Sequence, residues 1–316
     1  DQYGIKVPEN YEEYVQVCQQ FYDKGIKPYS MNFAEDWANQ EIIQAAAIGE
    51  FTSLAGIDWR NEAETSAGEI KFDDVLWKRI FSETSQFLKD SHFSKEDINV
   101  NVNTGTQMFV EGKSAMFHGQ PRDMQKFQDQ MDAELIRIPY FSQTSDSSFV
   151  YMFPSLNIAF NKELEKNQEK LDTALDVLDC MISEQGQKLI ADGSGVISFN
   201  TDVPSMMQNV PGLEEEIKDT SIYIRYSAQK SFDASLEAVH GLLSGKMDEM
   251  QAYNVFRSAM NSKDSKEKST VNFENEYSIS LNDKSGRDAA SSILTTIRKE
   301  NDAQLALTPY YYYTSS

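Results

Sequence analysis

The stretch Phe109–Gln120, FVEGKSAMFHGQ, decides how the chain is read. It follows an amphipathic turn, Thr106 to Glu111, and Gly112 stands where a helix end needs a left-handed residue. Ser114–Phe117 has the length and apolar content of a short buried strand. Gly119, Gln120 and Pro121 turn the chain, and Asp123 is placed to cap a further helix with Met124, Phe127 and Met131 inward. Helix, glycine turn, buried strand, glycine turn and helix in succession point to an α/β architecture.

The same alternation extends both ways. Upstream, PENYEEYVQVCQQFYDKG (8–25) reads as a helix capped by Asn10, with Glu13 at capping-box spacing and Gly25 at its end. Tyr11, Tyr14, Val15, Cys18, Phe21 and Tyr22 recur along it at helical spacing. IKPYSMNF (26–33) reads as a strand and EDWANQEIIQAAAIGEF (35–51) as a second helix. FDDVLWKRIFSETSQFLKD (72–90) is a third, with Val75, Leu76, Ile80, Phe81 and Phe87 as core candidates.

Downstream, AELIRIPYF (133–141) and FVYMFPSLNIAF (149–160) read as strands, the proline marking an edge or a crossing. Residues 169–193 form a helix pair with Leu171, Leu175, Leu178, Ile182 and Leu189 among the inward positions. Residues 231–261 give two more helices around Ser244-Gly-Lys, with Met247, Met250, Tyr253 and Phe256 inward. KDSKEKS (263–269) holds nothing to bury and reads as a linker. An apolar pattern restarts in 270–316, a small α+β appendage too short to be comfortable alone.

Composition works by exclusion. Fifty acidic against 29 basic residues leave a net charge of -21, which repels phosphate backbones, so nucleic acid is not an expected partner. The two cysteines, Cys18 and Cys180, lie within helix patterns and read as buried thiols. No run approaches the ~20 apolar residues of a membrane span. The opening DQYGIKVPEN reads as the continuation of an upstream segment. His92, His118 and His240 show no metal-ligand spacing, and no HExxH, CxxC, P-loop, GxGxxG or GxSxG motif occurs. No catalytic residue, metal or cofactor is therefore expected, and His118 reads as a strand-end residue.

What the residues offer is recognition. Trp37 follows Glu35 and Asp36 at a strand-to-helix junction. An aromatic face packs on the C–H patches of a sugar while carboxylates accept from its hydroxyls. A core role for Trp37 fits the sequence equally well.

Three segments carry a resemblance. YGIKVPENYEEYVQVCQQFYDKGIKPYSM (3–31), FVEGKSAMFHGQ (109–120) and LDTALDVLDCMISEQGQKLIADGSGVISF (171–199) resemble, in order, segments of the extracellular solute-binding proteins of sugar-type ABC transporters, the class that includes maltose-binding protein. The resemblance implies a periplasmic-binding-protein-like (type II) fold, with ligand held between two lobes. It implies that 1–145 with 205–262 form the C-terminal lobe and 146–204 a returning segment of the N-terminal lobe. The family's opening segment, which builds most of the N-terminal lobe, has no counterpart here.

The implied function is non-enzymatic: an extracytoplasmic protein, in the periplasm or as a cell-surface lipoprotein, that hands a carbohydrate, an oligosaccharide by expectation, to a membrane permease. The implied ligand contacts are Glu35, Asp36 and Trp37 after the second strand of that lobe, and, near a late helix start, a stacking aromatic at Phe232, with Tyr226 as a nearby alternative and core packing as the other reading of Phe232. Relatives place a stacking tryptophan just after the glycine of the second segment; Pro121 stands there, which leaves Gln120 or Arg122 to hydrogen-bond the ligand. The tail from Ser278 resembles the opening of the 5'-nucleotidase C-terminal domain, which keeps a second reading open: a multidomain cell-surface nucleotide-hydrolysing or scaffold protein in which the binding lobe is accessory.

Overall fold

The computed structural model describes residues 3–65, 73–119, 123, 127, 129–131, 135–152, 158–194, 198, 200, 202–203, 221–224, 229–261 and 306–307. Within them α1 (Tyr11–Asp23) starts where the cap predicts, the Asn10 side chain accepting from the Glu13 N–H at 2.9 Å. The returning half of the box is displaced by one residue: Glu13 Oε2 accepts from the Glu9 N–H instead. Tyr14, Val17 and Cys18 are buried, whereas Tyr22 is exposed and stacks on His92 at 4.1 Å.

The chain then enters β1 (Lys27–Ser30) and α2 (Asp36–Ala46), followed by α3 (Ile48–Phe51), α4 (Leu54–Thr65) and α5 (Asp74–Asp90). The Asp73 carboxylate caps α5 by accepting from the Val75 and Leu76 N–H groups. Val75, expected in the core, is exposed. The buried stripe of α5 is Leu76, Trp77, Ile80, Phe81, Thr84, Phe87 and Leu88, and Val75 falls on the opposite face of the same helix.

Helix α6 (Val102–Val110) starts earlier than its sequence pattern, because Asn101 caps it at the Thr104 N–H. Gly112 follows with φ +69, the left-handed conformation that glycine adopts without a Cβ penalty, and β2 (Ser114–Phe117) begins two residues later. β1 and β2 pair in parallel, Tyr29 opposite Met116 and Ser30 opposite Phe117.

Of the expected strand 133–141, the described residues 135–141 hold only β3 (Tyr140–Phe141), which pairs antiparallel with β4 (Ser148–Met152). β4 also pairs in parallel with β6 (Ser221–Ile224), so β4 is the central strand of three. Between them in the chain come β5 (Ile158–Ala159), α7 (Gln168–Ile182) and α8 (Glu184–Ser194). After β6 follow α9 (Gln229–Leu243) and α10 (Glu249–Asn261). A last strand, β7 (Ala306–Leu307), pairs antiparallel with β5.

Two compact units divide the chain. One comprises 1–152 with 215–264, the other 153–214 with 265–316. The first holds an aromatic core in which Trp77 meets Phe256 and Trp59 at 4.8 Å each and Phe81 meets Phe256 at 5.4 Å. Tyr253, Phe256 and Met260 of α10 face it, whereas Met250, expected inward, falls off that stripe and is exposed. In the second unit Leu175 and Leu178 of α7 pack with Ile158, Phe160 and Leu171. Cys180 is exposed, contrary to the sequence expectation, because it lies on the face of α7 opposite that stripe. Leu189 is exposed as well. Met124, the linker 263–269 and all of 270–316 except β7 lie outside the described residues.

Candidate ligand-binding site

Ligands of open α/β sheets sit beyond the carboxyl ends of parallel strands. In the first unit that edge is where β1 runs into Met31–Glu35 and β2 ends at His118. Its construction starts with α2. Every residue from Ala38 to Ala46 is buried, polar ones included. Each polar side chain of this run has its own tie. Asn39 Nδ2 donates to the Phe33 and Glu35 carbonyls at 3.0 and 2.7 Å. Gln40 donates to Ser231 Oγ at 2.9 Å, and Gln44 accepts from the Tyr223 hydroxyl at 2.7 Å.

The connection from β1 to α2 is fastened from several sides. Besides Asn39, His240 of α9 approaches the Phe33 carbonyl at 2.8 Å, and the Ala34 N–H donates to the Val100 carbonyl at 3.0 Å. This sets the position of Glu35, Asp36 and Trp37. Glu35 is the N-cap residue of α2 but makes no side-chain cap; Asp36 accepts from the Trp37 N–H at 2.7 Å. All three are half-buried. Trp37 packs one side on the core and lies 6.0 Å, ring to ring, from His118. It is thus neither a wholly buried core residue nor a free one.

His118 sits where strand β2 ends, its N–H donating to the Ser30 carbonyl. Its Nε2 lies 2.8 Å from Glu41 Oε2 and its Nδ1 2.8 Å from the Tyr140 hydroxyl. The Tyr29 hydroxyl approaches the same Nδ1 at 3.4 Å. Glu41 is nearly closed to solvent, at 5% side-chain exposure, and His118 retains 15%. Burial pushes the imidazole down to about 4. Burial likewise raises the Tyr29 phenol to about 12 and holds Tyr140 well above its ordinary value. A neutral imidazole paired with a carboxylate on one side and a phenol on the other is the outcome.

Of the residues singled out from sequence, Glu35, Asp36 and Trp37 come together at this edge. Phe232 is half-buried in the first turn of α9, next to the Ser231 that ties to Gln40. Gln120, Arg122 and Tyr226 lie outside the described residues. Glu41 and Tyr140 went unread, and His118 was read only as a strand end; the legible signal was the polar run Asn39-Gln40-Glu41 inside an otherwise apolar helix. A groove between α9 and α10, lined by Glu237, Asn254, Val255, Ser258 and Ala259, presents no aromatic face and lies away from these residues in the chain. Among the described residues no group of three His, Cys, Asp or Glu is placed to hold a metal ion, and no helix is long and apolar enough to cross a membrane.

No family model matches the sequence. No curated protein matches it either. Solved structures do. A family 1 extracellular solute-binding protein from Bifidobacterium longum subsp. infantis matches with TM-score 0.57 at 13% identity, over 80% of this chain and 66% of its own. The maltose/maltodextrin-binding domain MalE from Bdellovibrio bacteriovorus, bound to maltotriose, matches with TM-score 0.53 at 18% identity, over 82% and 67%. A sugar transporter from Bacillus licheniformis in complex with stachyose matches with TM-score 0.52 at 15% identity, over 81% and 67%. The chain spans about two thirds of the length of such relatives, 66% in the case of the first of these. The fold is α/β, of the type II periplasmic-binding-protein-like kind found in extracellular solute-binding proteins.

Proposed function

We propose that the protein binds a carbohydrate without transforming it, as the extracytoplasmic substrate-binding component of an ABC importer that passes an oligosaccharide to a membrane permease. The observation that carries this reading is the placement of Trp37. A half-buried indole flanked by Glu35 and Asp36 stands at the carboxyl edge of β1 and β2, beside a histidine whose two nitrogens are already engaged. An indole face and carboxylates side by side suit the alternating C–H and hydroxyl surface of a sugar. Solved relatives of the same fold hold maltotriose and stachyose, which supports the ligand class. Glu35, Asp36, Trp37 and Phe232, with Gln120, Arg122 and Tyr226, are the proposed contacts. The assignment of 1–145 with 205–262 and of 146–204 to two lobes belongs to the same proposal, as does an address in the periplasm or on a surface lipoprotein.

Thermal unfolding of the chain with maltotriose, stachyose, chitin oligosaccharides, nucleosides and amino acids tests the reading. A ligand at about 100 times its dissociation constant stabilises the protein by about 2.7 kcal/mol. A shift with at least one oligosaccharide and none with nucleosides is expected. A shift with nucleosides or amino acids alone overturns it.

A further inference from the structure

Helix α9 lies along α2 in the opposite direction and is tied to that side of the fold at two levels. Ser231, in its first turn, accepts from Gln40 Nε2 at 2.9 Å, and His240, nine residues on, meets the Phe33 carbonyl at 2.8 Å. A carbonyl can only accept, so His240 Nε2 carries the proton of that bond. Nine residues of helix put the two ties about 13.5 Å apart along α9. Between them the buried residues of α9 are Ala234, Ser235, Ala238 and Val239, of which only Val239 is larger than a serine. Small side chains let two helices approach closely but raise shallow ridges, so packing there resists rotation of one helix over the other only weakly. A single bond at Ser231 would act as a pivot; the second, at His240, stops the rotation. Two of the proposed ligand contacts flank that pivot. Phe232 follows Ser231, and Trp37 stands one helical turn before Gln40, both half-buried.

We propose that His240 is a positioning residue of the ligand site: it is the second fastening of α9, and it fixes how far Phe232 stands from Trp37, so that one sugar meets both rings. The inference rests on the carbohydrate reading above and adds the residue that holds its two aromatic contacts in register. His240 acts through the backbone, since its partner is the carbonyl two residues before Glu35. The same carbonyl also accepts from Asn39 Nδ2 at 3.0 Å, and the other branch of that amide ties the Glu35 carbonyl at 2.7 Å. Loss of the imidazole therefore leaves the Phe33 carbonyl satisfied and the corner tied to α2. What is lost is the link between that corner and α9. A site whose contacts must be brought into register as the ligand arrives binds more weakly than one that is already set.

Two measurements on the full chain test the proposal. Nitrogen-15 NMR of the parent protein, with His240 assigned by loss of its signals in His240→Gln, is expected to show a proton on Nε2. A ring protonated on Nδ1 alone overturns the tie whatever the ligand. Calorimetry with maltotriose and stachyose then compares variants, counted per folded molecule. His240→Leu removes the donor and should weaken binding about two- to tenfold, the range of one lost hydrogen bond. His240→Asn, whose amide ends short of the carbonyl, should lose as much, and serves if the leucine variant does not fold. His240→Gln places a donor where Nε2 stands and should recover most of the affinity. Phe232→Ala should cost less affinity in the His240→Leu or His240→Asn background than in the parent, because the ring is already out of register there; a role confined to stability would leave that cost unchanged. If the variants lacking the donor bind as the parent does, or Phe232→Ala costs the same in both backgrounds, the carbohydrate reading stands and this inference alone falls. If the parent binds neither sugar, the ligand role given to His240 falls with that reading.

Discussion

Glu83 makes the stability of the first unit depend on pH in an unusual direction. Its carboxyl lies on α5 near Glu50 of α3, whose Oε2 is 2.7 Å from an Arg79 nitrogen. Burial, followed by the charge of Glu50 and a hydrogen bond to it, raises Glu83 from 4.5 to about 7, with Arg79 pulling the other way. The folded state therefore holds a proton that the unfolded state has lost between those two values. Linkage fixes the sign: the contribution is fully present below 4.5 and disappears as pH rises through about 7. At about 1.4 kcal/mol per pH unit the ceiling is about 3.4 kcal/mol, and the half-buried setting of Glu83, with water screening part of the interaction, brings the expected loss to about 1–2 kcal/mol. Glu83→Gln keeps a donor for Glu50 and cannot ionise. Urea unfolding should find the variant level with the parent in mild acid and more stable by about 1–2 kcal/mol in mild alkali. A difference that stays flat across this range, or a variant less stable in alkali, refutes the assignment.

Trp37→Ala should weaken oligosaccharide binding by about 1.5–3 kcal/mol, measured by calorimetry, since one ring's burial and stacking are lost. Its cost in stability should stay below the ~3–5 kcal/mol of a wholly buried aromatic, because the indole is half-buried. Gly105→Ala should destabilise by about 1–2 kcal/mol in urea, overpacking outweighing the gain in helix propensity. A Cβ there would lie 2.7 Å from Asn32 Oδ1 and 3.1 Å from Phe117 Cε2. A thiol reagent should modify exposed Cys180 at once and Cys18 only on unfolding, because Cys18 is buried and burial pushes its thiol up to about 12. Equal reactivity of the two would contradict the packing of α1. Asn10→Ala should cost about 1 kcal/mol, the usual value of a lost N-cap.

Periodicity carried the architecture where a helix has one apolar face. α1, α5, α9 and α10 were legible because their buried stripes repeat every turn, and β2 because Gly112 marks the helix end just before it. Errors arose where a residue was counted apolar without regard to its angle: Val75, Cys180 and Met250 lie off their helices' stripes. α4 was not read at all, since Leu54 and Ile57 are exposed and leave no stripe to find. β6 gave no signal because it pairs in parallel with β4, and a parallel partner comes from far along the chain.

The site was legible only in part for a related reason. Trp37 with Glu35 and Asp36 stands out as an aromatic among carboxylates at a junction, so residue type alone marks it. Glu41 does not stand out, because α2 is buried on every side and a helix without an exposed face has no periodic position reserved for polar residues. In such a helix a carboxylate is tolerable only if something fixed satisfies it. Its partner, His118, comes 77 residues later, and the group that completes the imidazole, Tyr140, a further 22. Neither separation is encoded in local pattern; both are set by β1, β2 and β3 delivering their ends to one edge. A buried polar side chain in an apolar helix is thus the sequence mark of a site whose other half must be sought at strand ends, and here that search leads from Glu41 to His118 and Tyr140.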